Sequence, residues 1–366
     1  MAEIKKIETL NSFRFFMIML IVLCHFDCFA ECEVTKWFYY HFMTNSSIGV
    51  DYFFVLSGFG MMYSYIVKHK IISLKVGSLI AFARNHIRSI YPLYLVLVAC
   101  CFPKIILAHL AQGESFDVHF LFANITKLAL SIPLLQSTSG LIQISHSFNG
   151  VSWFLSTLFC IYLVSPLLLS FFDRQKTLKQ CFFMIALNLA MILILRLILR
   201  TIESRTFFND LVYGSPYIRV FYVTVGMLLA KIFLLLKTKK RIIVNSNTEI
   251  VICLLTLFYC LFKDIIPYGS AFAPYASLLL ASLLIFIFSF ENGTISKFLQ
   301  QKKVKILGNM SMYIFLIHYP IVRYFDLFGQ IYEMNDKFLY CMITAFITIL
   351  FTGIASFYLV KKKSNS

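Results

Sequence analysis

The chain has 366 residues, of which 60% are hydrophobic and only 14% charged, with a mean hydropathy of +0.80. A soluble globular chain averages about 25% charged residues, so the composition excludes an ordinary soluble domain and points to a polytopic membrane protein. The formal net charge of +16 does not indicate nucleic acid, because the Lys and Arg residues stand in short clusters between apolar runs and form no continuous basic face.

The first predicted element is residues 10–29, an almost wholly apolar stretch long enough to cross a bilayer core. Arg14 and His25 interrupt it. In a continuous helix, the step from Arg14 to His25 returns to within roughly 20° of the same face and rises by roughly 16 Å. One face would then carry a fixed cation towards one end and an imidazole towards the other. An ionisable group inside a spanning helix usually faces a cavity, a partner or a pathway. The plainer alternative has Arg14 snorkelling to the interface and His25 bonding a neighbouring helix. The same stretch resembles a secretory signal peptide, with Lys5 and Lys6 before it and small residues Cys28 and Ala30 near its end. Arg14 at the junction and the length of the run argue against cleavage. Cys24, Cys28 and Cys32 recur at helical spacing beside His25, but there is no CxxC pair and the ligands would straddle an interface. No metal is therefore expected.

The second span is expected at 48–67. Asp51 lies at its start, where Asp commonly caps a helix, and Ser57, Gly58 and Gly60 permit close helix approach or serve only as packing. The basic segment 68–88 follows, with Lys68, Lys70, Lys75, Arg84 and Arg88. Its later part reads as a helix lying on the inner membrane surface. The third span is 90–110, with Pro92 tolerated near its start. Residues 119–135 carry Asn124, Lys127 and Pro133 and read as an interfacial or re-entrant helix. The remaining spans are expected at 151–172, 180–199, 217–236, 249–266, 270–290, 306–325 and 338–360. Trp153 stands at the mouth of the fourth in an aromatic-belt position, and the ninth contains His318 and Pro320. No internal repeat, linker or soluble domain is evident. Residues 1–366 are expected to form one all-α membrane bundle of about ten transmembrane helices.

Ten spans put both termini on one side. The loops of that side hold 22 of the 33 Lys and Arg residues. The opposite loops hold Glu31, Glu33, Glu114, Asp117, Asp264, Glu333 and Asp336. The positive-inside rule then places both termini in the cytoplasm, in a multi-pass protein of the inner (plasma) membrane. His25, Asp51 and His318 fall at one depth, in the outer half, while Arg14 lies near the cytoplasmic face.

These residues also carry a resemblance. Arg14 and His25 form an Arg-x10-His pair, and residues 49–59 read GVDYFFVLSGF. Arg84, Arg88, Tyr91 and Pro92 precede the third span. Trp153, Phe154 and Leu155 are followed by Tyr162 and Pro166. Leu307, Gly308, Ser311, Leu316 and His318 fit LGxxSxxxxLxH. Five such strings in order, nearly end to end, resemble the integral-membrane acyltransferases of the acyltransferase 3 family. There are departures: three residues rather than two separate Arg84 from Arg88, Leu158 and Phe159 replace an acidic pair, and no Glu-Lys-Pro stands near the end. Some relatives carry an added extracytoplasmic hydrolase-like domain, for which this chain has no expected room.

The resemblance implies transfer of an acyl group, most often acetyl, from cytoplasmic acyl-CoA to a hydroxyl of a cell-surface polysaccharide or lipid-linked glycan. On that reading His25 is the expected general base, since imidazole titrates near working pH. Asp51 is expected to orient the ring, and His318 to be a second base, a hydrogen-bond donor or a structural partner. Arg14, Arg84 and Arg88 are expected to hold the phosphates of acetyl-CoA, or Arg14 to polarise the thioester carbonyl. The expected partners are membrane lipid, acyl-CoA and a glycan, with no nucleic acid. The competing class is a flippase for a lipid-linked sugar, against which no pair of broken helices in corresponding halves is visible. A third reading is a sensor or assembly partner in envelope synthesis.

Overall fold

The computed structural model describes residues 6–68, 73–113, 117–202, 211–238, 244–262, 269–332 and 337–365. Lys5, Lys70, Glu114, Lys239, Lys240, Arg241, Asp264, Glu333, Asp336 and the last residues of the expected seventh span lie outside them. The described residues are helical, with turns between, and contain no strand.

In chain order the helices are α1 (Glu8–Leu23), α2 (Glu33–His41), α3 (Ser47–Val67), α4 (Val76–Ile87), α5 (Tyr91–Ala111), α6 (Val118–Ser131) and α7 (Trp153–Asp173). They continue with α8 (Leu178–Ile202), α9 (Pro216–Thr238), α10 (Ser246–Phe262), α11 (Gly269–Phe288), α12 (Thr294–Leu299), α13 (Lys302–Tyr332) and α14 (Lys337–Asn365). Each of the ten expected spans falls on one of them. Among the described residues, six stretches are long and apolar enough to cross a membrane: α3, α5, α8, α14, the stretch Gly150–Asp173 that includes α7, and Leu211–Thr238 that includes α9.

The other four expected spans differ for identifiable reasons. Helix α1 has 16 residues and stops at Leu23, which gives roughly 24 Å of rise. The backbone N–H groups of His25 and Phe26 turn back to Val22 and Leu23, and Asp27–Ala30 form a 3-10 turn. Helix α10 has 17 residues, and the described apolar part of α11 is Pro274–Phe288. Helix α13 is long, at 31 residues, but Lys302, Lys303, Lys305, Arg323 and Asp326 dilute its hydropathy. The 14-residue α6 is capped by Asp117, whose carboxylate accepts from Phe120 N at 2.7 Å.

Packing divides the chain into two compact units, Met1–Lys68 with Leu229–Ser366, and His69–Leu228. In the first, α1 lies against α3 and α13, α3 against α11, and α14 against α13. Two glutamates close helix starts from a distance. The Glu291 carboxylate accepts from the N–H groups of Glu8 and Thr9 at 2.8 and 3.3 Å, serving the orphan donors of α1. Glu249, fully buried, accepts from Gly293 N and Ser296 N at 2.9 Å each and from the Ser296 hydroxyl at the start of α12. In the second unit α4 packs on α7. Trp153, at the start of α7, is buried against Tyr213 and His146.

Candidate active site

Helix α1 is clamped at two glycines of the sequence strings. A Cβ on Gly49 of α3 would meet Met17 O at 2.8 Å and Ile21 Cγ1 at 3.0 Å. A Cβ on Gly308 of α13 would overlap the Asn11 carbonyl and stand 2.8 Å from Ser12 Cα. Contacts with backbone atoms cannot be relieved by a rotamer change, so α3 and α13 approach α1 this closely only through glycine. Asn11 Nδ2 donates to Asn309 Oδ1 at 2.9 Å, and the Tyr52 hydroxyl donates to Leu10 O at 3.3 Å. The register of α1 against α13 is thereby fixed, and with it the meeting of two histidines far apart in sequence.

His25 lies just past the end of α1, not inside a continuous spanning helix. Its Nδ1 is 2.7 Å from the Ile21 carbonyl. His318, fully buried in α13, has Nδ1 3.0 Å from the Ile314 carbonyl and Nε2 3.4 Å from His25 Nδ1. A carbonyl only accepts, so both Nδ1 atoms carry hydrogen in this arrangement. His318 Nε2 then accepts a second branch of the His25 Nδ1–H bond, and His25 Nε2 carries the lone pair. The ring centres are 5.1 Å apart.

Asp51 lies in the second turn of α3 and is 2% exposed; Ser46 holds the N-cap position. Its Oδ2 accepts from Ser277 Oγ of α11 at 2.6 Å. That bond joins α3 to α11, and at His25 the backbone carbonyl of Ile21 lies against Nδ1.

The sequence did not single out the charged group beside the pair. Arg323 Nη1 is 2.8 Å from both Asp27 Oδ2 and Asp326 Oδ2, and the Tyr39 hydroxyl donates to Asp27 Oδ1 at 2.8 Å. Tyr39 lies on α2, between the spans, where burial and the adjacent Asp27 carboxylate push its phenol well above the usual range. The Tyr319 ring centre is 4.9 Å from Arg323 Cζ and 5.2 Å from the His25 ring centre.

Arg14 lines a separate cavity of about 610 Å³ at the opposite end of α1. Lys6, Asn11, Tyr63, Ser64 and Lys68 share its wall, and Arg14 Cζ stands 5.9 Å from the Phe53 ring centre. Arg84 and Arg88 belong to the second unit, exposed at the C-terminal end of α4, where a cation also suits the helix dipole. Among the described residues no group of three or more His, Cys, Asp or Glu side chains is placed to hold a metal ion.

The sequence model of the acyltransferase 3 family, an acyltransferase domain, matches residues 7–360. The chain belongs to the acyltransferase 3 family. No curated protein and no solved structure matches it. Within this acyltransferase, the Gly49 and Gly308 strings set the packing of α1, and the paired histidines come from the Arg-x10-His and LGxxSxxxxLxH strings. The family strings include neither Asp27, Tyr319, Arg323 and Asp326 nor the cavity lysines Lys6 and Lys68. For Lys6 and Lys68 the only sequence signal was their place in basic clusters next to spans.

Proposed function

We propose that this family member is a membrane O-acyltransferase that moves an acetyl group from cytoplasmic acetyl-CoA to a hydroxyl of a cell-surface polysaccharide or lipid-linked glycan. The observation that carries the reading is the His25–His318 pair. Two imidazoles hold each other in one tautomeric arrangement, with His25 Nε2 left as a proton acceptor. Base assistance matters for a hydroxyl nucleophile, which is weak until its proton is removed.

His25 Nε2 takes the hydroxyl proton as the oxygen adds to the thioester carbonyl. When the tetrahedral intermediate collapses, the C–S bond breaks and the thiolate recovers the proton from the imidazolium. His318 steadies the cation by accepting from Nδ1–H. The cavity of Arg14, Lys6 and Lys68 suits the donor's phosphates. Arg14 lies roughly 14 Å of helix rise from Leu23, where α1 ends just before His25, within reach of an extended pantetheine arm. Both termini lie in the cytoplasm on this reading, which puts the cavity on the side that holds acyl-CoA.

The test is the mass spectrum of surface glycans from cells with the intact gene, without it, and with His25→Ala. A gain of one acetyl unit per modified sugar, present only with the intact gene, is the expected result. Near-normal acetylation in the variant would remove His25 as the base. Unmodified glycan in all three strains would overturn the glycan acceptor. Failure of the glycan to reach the surface in the null would favour the flippase.

A further inference from the structure

Beside the histidine pair stands a constellation that the proposed chemistry leaves unused. Arg323 bridges Asp27, in the turn after α1, and Asp326, one helical turn further along α13. The Asp27–Arg323 contact spans 296 sequence positions and joins the two segments that carry the histidines. Exposed ion pairs contribute little, about 0–1 kcal/mol. This one is half-sheltered, with the Arg323 side chain 26% exposed. It is also tied into a larger arrangement: Tyr39 braces Asp27, and the guanidinium covers Tyr319, whose ring meets His25 at 87°. Two carboxylates thus face one guanidinium.

We infer that the Asp27–Arg323–Asp326 network positions the histidine pair: it holds the Tyr319 ring as the wall that sets the His25 ring plane, and the balance of its three charges sets how readily the pair takes up a proton. The inference rests on the acyl-transfer reading and deepens it, with Arg323, Asp326 and Tyr319 as positioning residues. Cys24 Sγ also lies 3.5 Å from His25 Nδ1, and Tyr39 bonds Asp27; neither is changed in the variants below.

The signs follow from the charges. Asp326→Asn removes a negative charge, disfavours the imidazolium and moves the acidic limb of the pH–rate profile to lower pH. Arg323→Gln leaves two carboxylates without their cation and moves the limb to higher pH. The Arg323 charge lies within about 10 Å of the His25 ring, and at an effective dielectric near 20 each shift is on the order of one pH unit. Loss of packing alone would not displace the limb in opposite directions.

The test uses the purified full chain with acetyl-CoA as donor and surface glycan from null cells as acceptor, reading thiol release between about pH 5 and 9. In parallel, carbethoxylation of His25 by diethyl pyrocarbonate is followed against pH by peptide mass spectrometry, which needs no turnover. Opposite shifts in both readouts, with activity largely retained in Arg323→Lys, are expected. Unmoved profiles, shifts in one direction, or an Arg323→Lys variant as impaired as Arg323→Gln would overturn the inference. If Arg323→Gln fails to insert, the sign of the Asp326→Asn shift alone decides. If the wild-type chain releases no thiol, the acyl-transfer reading falls, while the carbethoxylation profiles still judge the network.

Discussion

The tautomers at the histidine pair distinguish the roles open to His318. If it serves as the acceptor that fixes His25, a side chain placing an oxygen near the Nε2 position should largely replace it. His318→Gln is expected to keep transfer within about tenfold of wild type, whereas His318→Ala, which removes the acceptor, should lose about a hundredfold or more. If His318 were a second base, both variants would fall together, because an amide does not take up a proton near neutral pH. Initial rates of thiol release with acetyl-CoA separate the two outcomes, provided both variants insert and are purified to the same monodispersity. The individual histidines were legible in the sequence because an imidazole in an apolar run stands out. Their tautomers were not, because they depend on the carbonyls of Ile21 and Ile314 and on a contact across 293 positions. Arg323 was hidden for the same reason: its partner Asp27 stands 296 positions away.

At the scale of the helix, the structure orders three glycines by what surrounds them. Gly308 faces the Asn11 carbonyl and the Ser12 Cα, Gly49 faces Met17 O and the movable Ile21 side chain, and Gly60 has nothing within 4 Å of a Cβ. Gly308→Ala should therefore be the most damaging, Gly49→Ala intermediate and Gly60→Ala neutral for stability. The cost of overpacking is typically about 1–3 kcal/mol. Thermal unfolding in detergent ranks them, and a Gly60→Ala variant as unstable as Gly308→Ala would contradict the clamp. Element positions were legible because long apolar runs mark helices, and each expected span lies on one. The end of α1 was not: residues 24–29 contain no Gly or Pro, and four of the six are Cys or Phe. The stop comes from the turn that seats His25 and Asp27 beside α13. That early stop replaces the shared-face argument for Arg14 and His25. The two residues mark opposite ends of one short helix, and each belongs to its own site.

For the whole molecule, the acyltransferase reading divides labour along α1, with donor phosphates in the cation-lined cavity and proton transfer at the histidine pair. Lys6, Arg14 and Lys68 share one wall, so loss of one charge should weaken donor binding without altering the transferring step. Lys68→Ala is expected to raise the KM for acetyl-CoA about tenfold, the loss of one charge-assisted contact, with kcat nearly unchanged. A donor lacking the ribose 3′-phosphate identifies which phosphate is held. If Lys68 holds that group, the wild-type enzyme discriminates against acetyl-dephospho-CoA and Lys68→Ala does not. If discrimination survives in Lys68→Ala, Lys68 serves another part of the donor. Gly60→Leu supplies the steric counterpart, since its side chain would enter the cavity without meeting a packed neighbour. It should raise KM for both donors alike. A Gly60→Leu enzyme that keeps wild-type KM would separate the cavity from donor binding and return Arg14 and the two lysines to a purely topological role.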